Sequence, residues 1–317
     1  MTMHTIIGAG AVGSGTALLL ADAGDDVTVV TRSGSGPDHD RITKVAADAT
    51  DADRLAEIAA DSQTIFNCAN PGDYHQWAEL WPPMAAAILA AAERTGARLV
   101  TMGNLYGYAA GASPMRATDP LDPPTANGAI RVAMWHEALA AHEAGRVQIT
   151  EIRASDYVGP GLGDSAHLAD RFVPRILAGK TARVLGDPDA PHSWSYIGDV
   201  CRTMAIVGTD ERAFGRAWHV PTLPPKSVQE MGDEFARAAG TTPAKVGRLP
   251  RVALRAVGVV MPLIRTLLDM AYQFDQPFEI DAHDTTATFG IEPTPLDEQV
   301  RATLASYDVE PSTTAVA

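Results

Sequence analysis

The sequence predicts an α/β fold, a doubly wound parallel sheet that carries a smaller C-terminal lobe. Three observations lead there. The first third of the 317-residue chain alternates short apolar runs rich in β-branched residues with longer Ala- and Leu-rich segments of helical period, the pattern of successive βαβ units. A glycine-rich turn follows the first apolar run directly, where such a unit passes from strand to helix. After about residue 156 the texture changes to clustered glycines and prolines, the punctuation expected where one lobe gives way to another.

Taken in order, strands are expected near residues 4–8, 26–31, 64–68, 98–102, 147–153 and 217–220, with helices between them. The first helix runs from about Ala11 to Ala23. A second, from Trp81 to Thr95, begins on Pro82 and Pro83, where missing amide donors cost little, and stops at Gly96. Gly159, Pro160, Gly161 and Gly163 open the second lobe, and a proline-rich connection spans Pro221 to Pro225. The expected division is residues 1–160, with 190–222 returning to them, against 161–189 and 223–317. The stretch from Arg251 to Tyr272 is strongly apolar but carries Arg255, Pro262 and Arg265, which reads as a kinked helix packed on the core. The end of the chain, with Pro311, Ser312, Thr313 and Thr314, is expected to fray.

Charge narrows the function classes. Lys and Arg total 25 against 39 for Asp and Glu, a formal charge of −14, which argues against electrostatic binding to nucleic acid or to an anionic membrane. Neither Cys68 nor Cys201 sits in a disulfide framework or a four-ligand zinc pattern, and a reducing, cytoplasmic setting fits best. The apolar run that starts at Ile6 lacks a basic leader and is broken by glycines and by Asp22, Asp25 and Asp26, unlike a signal peptide. No apolar run approaches the ~18 residues a spanning helix needs. The nine histidines are scattered, no His-Glu-x-x-His pattern occurs, and no metal site is expected. A Gly-x-Ser-x-Gly nucleophile elbow is also absent.

The strongest motif is Ile6-Ile7-Gly8-Ala9-Gly10-Ala11-Val12-Gly13. Gly8 permits the tight turn, Gly10 lets backbone approach a pyrophosphate, and Gly13 lets the helix lie close to the sheet; Ala11 and Val12 offer amides at the helix N-terminus. This is the fingerprint of a dinucleotide-binding Rossmann unit. The end of the second strand then selects the cofactor. An NAD site would place Asp or Glu there, whereas this chain reads Thr31-Arg32-Ser33, and a guanidinium suits a 2′-phosphate. NADP(H) is therefore the preferred cofactor and NAD(H) the second; the plainer reading of Arg32 is a solvated charge at a strand end. Asp48 could accept from the adenine amino group or cap the helix that follows.

Further segments carry a resemblance. Asn67-Cys68-Ala69, Leu99 to Gly107 with Thr101, Met102, Asn104 and Tyr106, Arg153 to Gly161 with Tyr157, His192 to Val200, and Thr288-Phe289-Gly290 before Pro293 and Pro295 follow one another in order. Together with the glycine motif they resemble the NAD(P)-dependent epimerase/dehydratase type of short-chain dehydrogenase/reductase, in its extended or an atypical group. The resemblance implies that Asn67, Ala69, Thr101 and Met102 lie beside the cofactor and that Asp199 caps a helix below the substrate lobe. It also implies a small-molecule substrate and a homodimer built on helices of the nucleotide domain.

Departures from that family bear on the chemistry. Its redox members use a Ser or Thr on strand five and a Tyr followed four residues later by Lys, which lowers the phenol pKa. Counting back from Tyr106, the hydroxyl position falls on Met102, with Thr101 turned to the other face of the strand. Counting back from Glu137, the Tyr and Lys positions fall on Ala129 and Ala133, and Arg131 then points well off their face, in a structural or phosphate-facing role. The chain has only Lys44, Lys180, Lys226 and Lys245, and none follows any of the seven tyrosines at the fourth position. Tyr106, Tyr157 and Asn104, on loops leaving the strands' C-terminal ends, are the candidates for direct chemistry. The sequence thus predicts an NADP-dependent oxidoreductase working on a carbonyl or alcohol with a non-standard proton donor. A non-catalytic NADP-binding sensor or scaffold, and a sugar-nucleotide epimerase or dehydratase, are the alternatives.

Overall fold

The computed structural model describes residues 2–72, 74–163, 166–259 and 261–309. Its centre is a seven-stranded, wholly parallel sheet. The strands are β1 (Met3–Ile7), β2 (Asp26–Thr31), β3 (Ile42–Ala46), β4 (Thr64–Asn67), β5 (Arg98–Gly103), β7 (Ile149–Arg153) and β11 (Ala217–His219). Their order is β11-β7-β5-β4-β1-β2-β3, so the chain reverses its direction of travel between β1 and β4. The inner strands are buried almost throughout, at polar as well as apolar positions, because helices cover both faces.

One face buries α2 (Ala52–Ile58), α3 (Trp77–Thr95) and α4 (Ala126–Glu143), through Leu55, Trp77, Trp81, Ile88 and Trp135. The other buries α1 (Ala11–Asp22) and α6 (Ile197–Thr209), through Val12, Leu20, Val200 and Met204. A third core lies outside the sheet. It joins α5 (Val173–Leu177), α7 (Val228–Ala238) and α12 (Leu296–Ala305), with Phe172, Trp194 and Phe235 at its centre. Small parallel pairs lie outside the main sheet: β6 (Met115–Arg116) with β13 (Ile280–Asp281), β8 (Asp156–Val158) with β10 (Trp194–Tyr196), and β9 (Ala182–Val184) with β12 (Val246–Arg248).

Three elements depart from the sequence reading. Helix α3 begins at Trp77, one turn before the prolines, because Trp77 and Trp81 are each 2% exposed and pull that turn onto the core. Pro82 and Pro83 thus lie inside the helix. The 251–272 stretch is two helices, α8 (Arg251–Gly258) and α9 (Pro262–Asp269), since Pro262 has no amide to donate and starts a new helix at its first position. Val252 and Val259 are 81% and 83% exposed, whereas Met270 and Ala271 at the end of the stretch are buried; the short helices α10 (Tyr272–Asp275) and α11 (His283–Phe289) follow. Asp199 does not cap α6, whose N-cap is Tyr196; from the helix's first turn its carboxylate accepts from Thr294 N (2.8 Å) and Oγ1 (2.5 Å) and from Arg202 Nη2 (2.7 Å). It ties the C-terminal closing segment to the sheet's helix layer. The expectation for Pro311 to Thr314 falls outside the described residues.

A buried polar chain crosses the sheet's edge. His219 Nδ1 lies 3.1 Å from the Asp281 carbonyl, so Nδ1 carries the proton and Nε2 accepts from the Tyr108 hydroxyl at 2.8 Å. Arg153 donates to the Tyr108 oxygen (2.7 Å) and to Glu151 (2.6 Å). Burial, aided by Arg153, holds the His219 imidazole down to about 4. In the third core His167 stacks on Phe274 at 4.2 Å, and burial holds it at about 4 as well.

Both imidazoles bind protons more weakly folded than unfolded. Their contribution to stability is therefore whole above pH ~6.5 and is lost as pH falls towards ~4, at about 1.4 kcal/mol per pH unit for each histidine. Urea titrations across that range should show the decline, and His167→Phe should remove about half of the part that His167 and His219 contribute, burial of His4 adding to the rest in the same direction; an unchanged slope would contradict this account.

Candidate functional site

The site grows from the turn after β1. Gly8 takes φ +97°, and a Cβ on Gly13 would stand 1.9 Å from the Gly8 carbonyl oxygen, so only glycine lets α1 begin so close to the strand. Gly10 is the N-cap of α1 with no side chain to cap it, and a Cβ there would meet nothing within 4 Å. Open backbone and the amides of the first turn therefore face a cleft, a cradle that fits a pyrophosphate.

Beyond the end of β2, Thr31 donates to the Ser35 carbonyl (2.9 Å) and Ser33 to Ser35 Oγ (2.9 Å), which folds the 31–35 turn on itself. Arg32 is exposed and makes no hydrogen bond or ion pair among the described residues. Asp48 accepts from Thr50 N and Oγ1 at 2.9 and 2.8 Å, while Asp51 caps α2.

From Gly10, Ala11 and Val12 the cleft, about 400 Å³, runs past Cys68 and Ala69 to the loops after β5 and β7. Met102, Asn104, Tyr106 and Tyr157 line it. Asn67 and Thr101 do not: they face a separate small cavity between the sheet and helices α3 and α4. The reason is strand alternation, which sends Thr101 and Met102 to opposite faces. Asn104 Oδ1 accepts from the Tyr106 amide at 3.1 Å and shapes the turn that presents the phenol.

The phenols of the cleft form their own cluster. Tyr106 and Tyr74 hydroxyls lie 3.4 Å apart, and both rings stack on Trp77, at 6.1 and 4.6 Å. Burial pushes Tyr106 well above the usual phenol value and raises Tyr74 and Tyr157 too. This is the reverse of the lowered pKa that a Tyr-Lys pair provides.

Helix α4 brings in a group that counting back from Glu137 placed wrongly. Ala129 and Ala133 are exposed; the inward positions are Asn127 and Arg131, 9% and 6% exposed, two residues earlier in the helix. Gly128 makes this approach possible, since a Cβ there would lie 2.2 Å from the Tyr106 carbonyl oxygen. Asn127 Nδ2 donates to the Tyr74 carbonyl (3.1 Å). Arg131 lines the cleft, donates to the Met102 carbonyl (2.6 Å) and lies 4.5 Å over the Trp81 ring. Its role is thus not that of a residue turned away from the site.

Asp156, at the start of β8, lines the same cleft as Arg131. Its Oδ2 accepts from His192 Nε2 at 2.9 Å, and His192, 2% exposed, is packed against Trp194, Phe274 and Phe278. Among the described residues lining the cleft, Asp156 is the one carboxylate and Arg131 the one cation. Neither was singled out from sequence for chemistry. The spacing of Asn127 and Arg131, four apart on one helical face, was the available signal for Arg131. Nothing local marks His192 and Asp156, 36 residues apart, as partners. No group of three or more His, Cys, Asp or Glu among the described residues could hold a metal ion.

All seven tyrosines have phenol pKa values above the usual 10, chiefly through burial. At pH ~10 the folded protein should therefore show well under half the tyrosinate absorbance of the urea-unfolded chain. Equal signals would mean that the cleft phenols are hydrated.

Comparison with known proteins agrees with this geometry. Residues 5–220 match the model of the "NAD dependent epimerase/dehydratase family". A search of curated proteins finds no match. Among solved structures, the Bordetella bronchiseptica enzyme WbmH in complex with NAD+ is similar at 22% identity and TM-score 0.74, covering 100% of both chains. The UDP-glucose 4-epimerase of Thermotoga maritima, with UDP-glucose, is similar at 16% identity and TM-score 0.77, covering 97% of this chain and 99% of its own. The dTDP-glucose 4,6-dehydratase of Bacillus anthracis str. Ames, in complex with NAD, aligns at 16% identity and TM-score 0.76 over 97% of each chain. The glycine turn, the sheet order and the matched 5–220 span together place this chain in the NAD dependent epimerase/dehydratase family.

Proposed function

We propose that this protein is an NADP-dependent oxidoreductase that interconverts a carbonyl and an alcohol on a small or medium-sized organic substrate, in the cytoplasm and as a homodimer. The observation that carries the reading is the single cleft that joins the α1 amides to a buried cation and a carboxylate at the loops after β5 and β7. Doubly wound sheets place ligands at this switch point. The residues that would hold the cofactor are Gly8, Gly10, Ala11, Val12 and Gly13 at the pyrophosphate and Ala69 and Met102 towards the nicotinamide. Thr31, Arg32 and Ser33 would take the 2′-phosphate, with Asp48 near the adenine. Bound there, the nicotinamide supplies hydride acceptance or donation. Residues 161–189 and 223–317, which carry most of the third core, would form the lobe at the substrate end.

The chain's own residues then orient the substrate and move its proton. Tyr106, Tyr157 and Asn104 offer hydrogen bonds at the substrate end. With their phenols pushed up by burial, the tyrosines hold their protons at neutral pH and serve as donors rather than as bases. Asp156, held by His192, is placed to accept or return the proton of the substrate hydroxyl. Sugar-nucleotide epimerisation or dehydration is the second reading, favoured by the similarity to enzymes crystallised with UDP-glucose or named for dTDP-glucose. It is opposed by the missing Tyr-x-x-x-Lys pair. A non-catalytic cofactor-binding sensor is the third.

Fluorescence titration should give tighter binding of NADPH than of NADH. Arg32→Ala should weaken NADPH by about ten- to a hundredfold, the loss of a charge-assisted contact, and leave NADH nearly unchanged. Equal losses for both cofactors would refute the 2′-phosphate assignment. Following the reduced cofactor's absorbance across aldehydes, ketones and alcohols should reveal turnover, and Asp156→Asn should lower it by about 10² to 10⁴-fold with cofactor affinity retained. Tight NADPH binding without turnover would favour the sensor, and turnover only with nucleotide sugars would favour the second reading.

A further inference from the structure

Arg131 is buried as a charge without a counter-charge. It is 6% exposed and forms no ion pair among the described residues. A guanidinium stays protonated in proteins, even though burial here lowers its pKa. Glu151 exerts the leading attraction on it, but that carboxylate is already committed to Arg153 at 2.6 Å. Of the five N–H donors in the fork, one reaches the Met102 carbonyl, and the ring of Trp81 lies beneath its plane. Isolated buried charges are costly, and proteins keep them where a ligand completes the pair.

The surroundings restrict what that ligand is. The guanidinium opens into the cleft beside Met102, at the end of β5, and Asp156 lines the same cleft. A monoanion balances the one unpaired cation, whereas a phosphate dianion would leave excess negative charge near Asp156. A flat fork with one N–H fixed to backbone still presents a parallel pair to a planar carboxylate. We propose that Arg131 binds the carboxylate of the substrate, so that the substrate class is an oxo or hydroxy carboxylic acid. The class assignment rests on the oxidoreductase reading above; the anion site itself does not.

The test uses the full chain, with and without NADPH, and oxamate as the probe, with oxamide as its uncharged counterpart. Calorimetry should show saturable oxamate binding and oxamide at least about tenfold weaker, the scale of one lost charge-assisted pair. Arg131→Gln should abolish the oxamate response, Arg131→Lys should keep part of it, and NADPH affinity should change by less than about threefold in either variant. If Arg131→Gln fails to fold, the lysine variant and the oxamate-to-oxamide ratio of the unaltered protein still decide the matter. Absence of saturable oxamate binding, equal affinity for oxamide, an unaltered response in both variants, or inorganic phosphate binding better than oxamate would each overturn the proposal. Loss of NADPH rather than oxamate binding in the variants would reassign the guanidinium to the cofactor. Failure of the unaltered protein to bind either NADPH or NADH would refute the oxidoreductase reading while leaving the oxamate result to stand alone.

Discussion

The site depends on the in-step register of four parallel strands. Ile7 of β1 pairs with Asn67 of β4, Asn67 with Thr101 of β5, and Gly103 of β5 with Arg153 of β7. In these inner strands the backbone donors and acceptors are spent on neighbouring strands at both sides, so free amides and adaptable side chains first appear beyond their C-terminal ends. β1 and β4 end level, and β5 and β7 end level with each other two residues further on, so the segments that follow emerge at one edge: the Gly8–Gly13 turn, Cys68-Ala69, Asn104 to Tyr106, and Asp156. The chain also leaves β1 towards α1 on one face and β4 towards α3 on the other, which opens a crevice there instead of a packed surface.

Burial sets the electrostatics of that crevice. It raises the phenols, lowers His167 and His219, and isolates Arg131. A cation beside a phenol would offset burial at that group. Here the cation stands at the inner face of α4 beside a backbone carbonyl and a tryptophan, and the carboxylate stands across the cleft with its own imidazole. The cation and the carboxylate thus reach one cleft from different elements, a helix and the strand that follows β7.

Much of this was legible in the residues. The spacing of Gly8, Gly10 and Gly13 marks a backbone geometry that side chains would obstruct, and the β2 run of Val27 to Thr31 reads directly as a buried strand. Helix faces were less legible. Counting from Glu137 put Ala129 and Ala133 inward, because Ala-rich helices carry little amphipathic contrast; the close approach at Gly128 is what turns Asn127 and Arg131 to the cleft. Likewise the prolines after Trp81 suggested a helix start, whereas two buried tryptophans outweighed the lost amide bonds.

The sequence by itself determined the class of fold, the glycine turn after β1, the arginine that follows β2 and the absence of any Tyr-x-x-x-Lys, since each is a property of neighbouring residues. Tertiary structure alone decided that Arg131 is a cation in the cleft with no ion pair among the described residues, that His192 supports Asp156, and that Asn67 faces away from the cleft. Those facts arise between segments tens of residues apart, where strand register and helix packing fix which face meets which. Local pattern carries periodicity but not partners, and the chemistry of this site is a matter of partners.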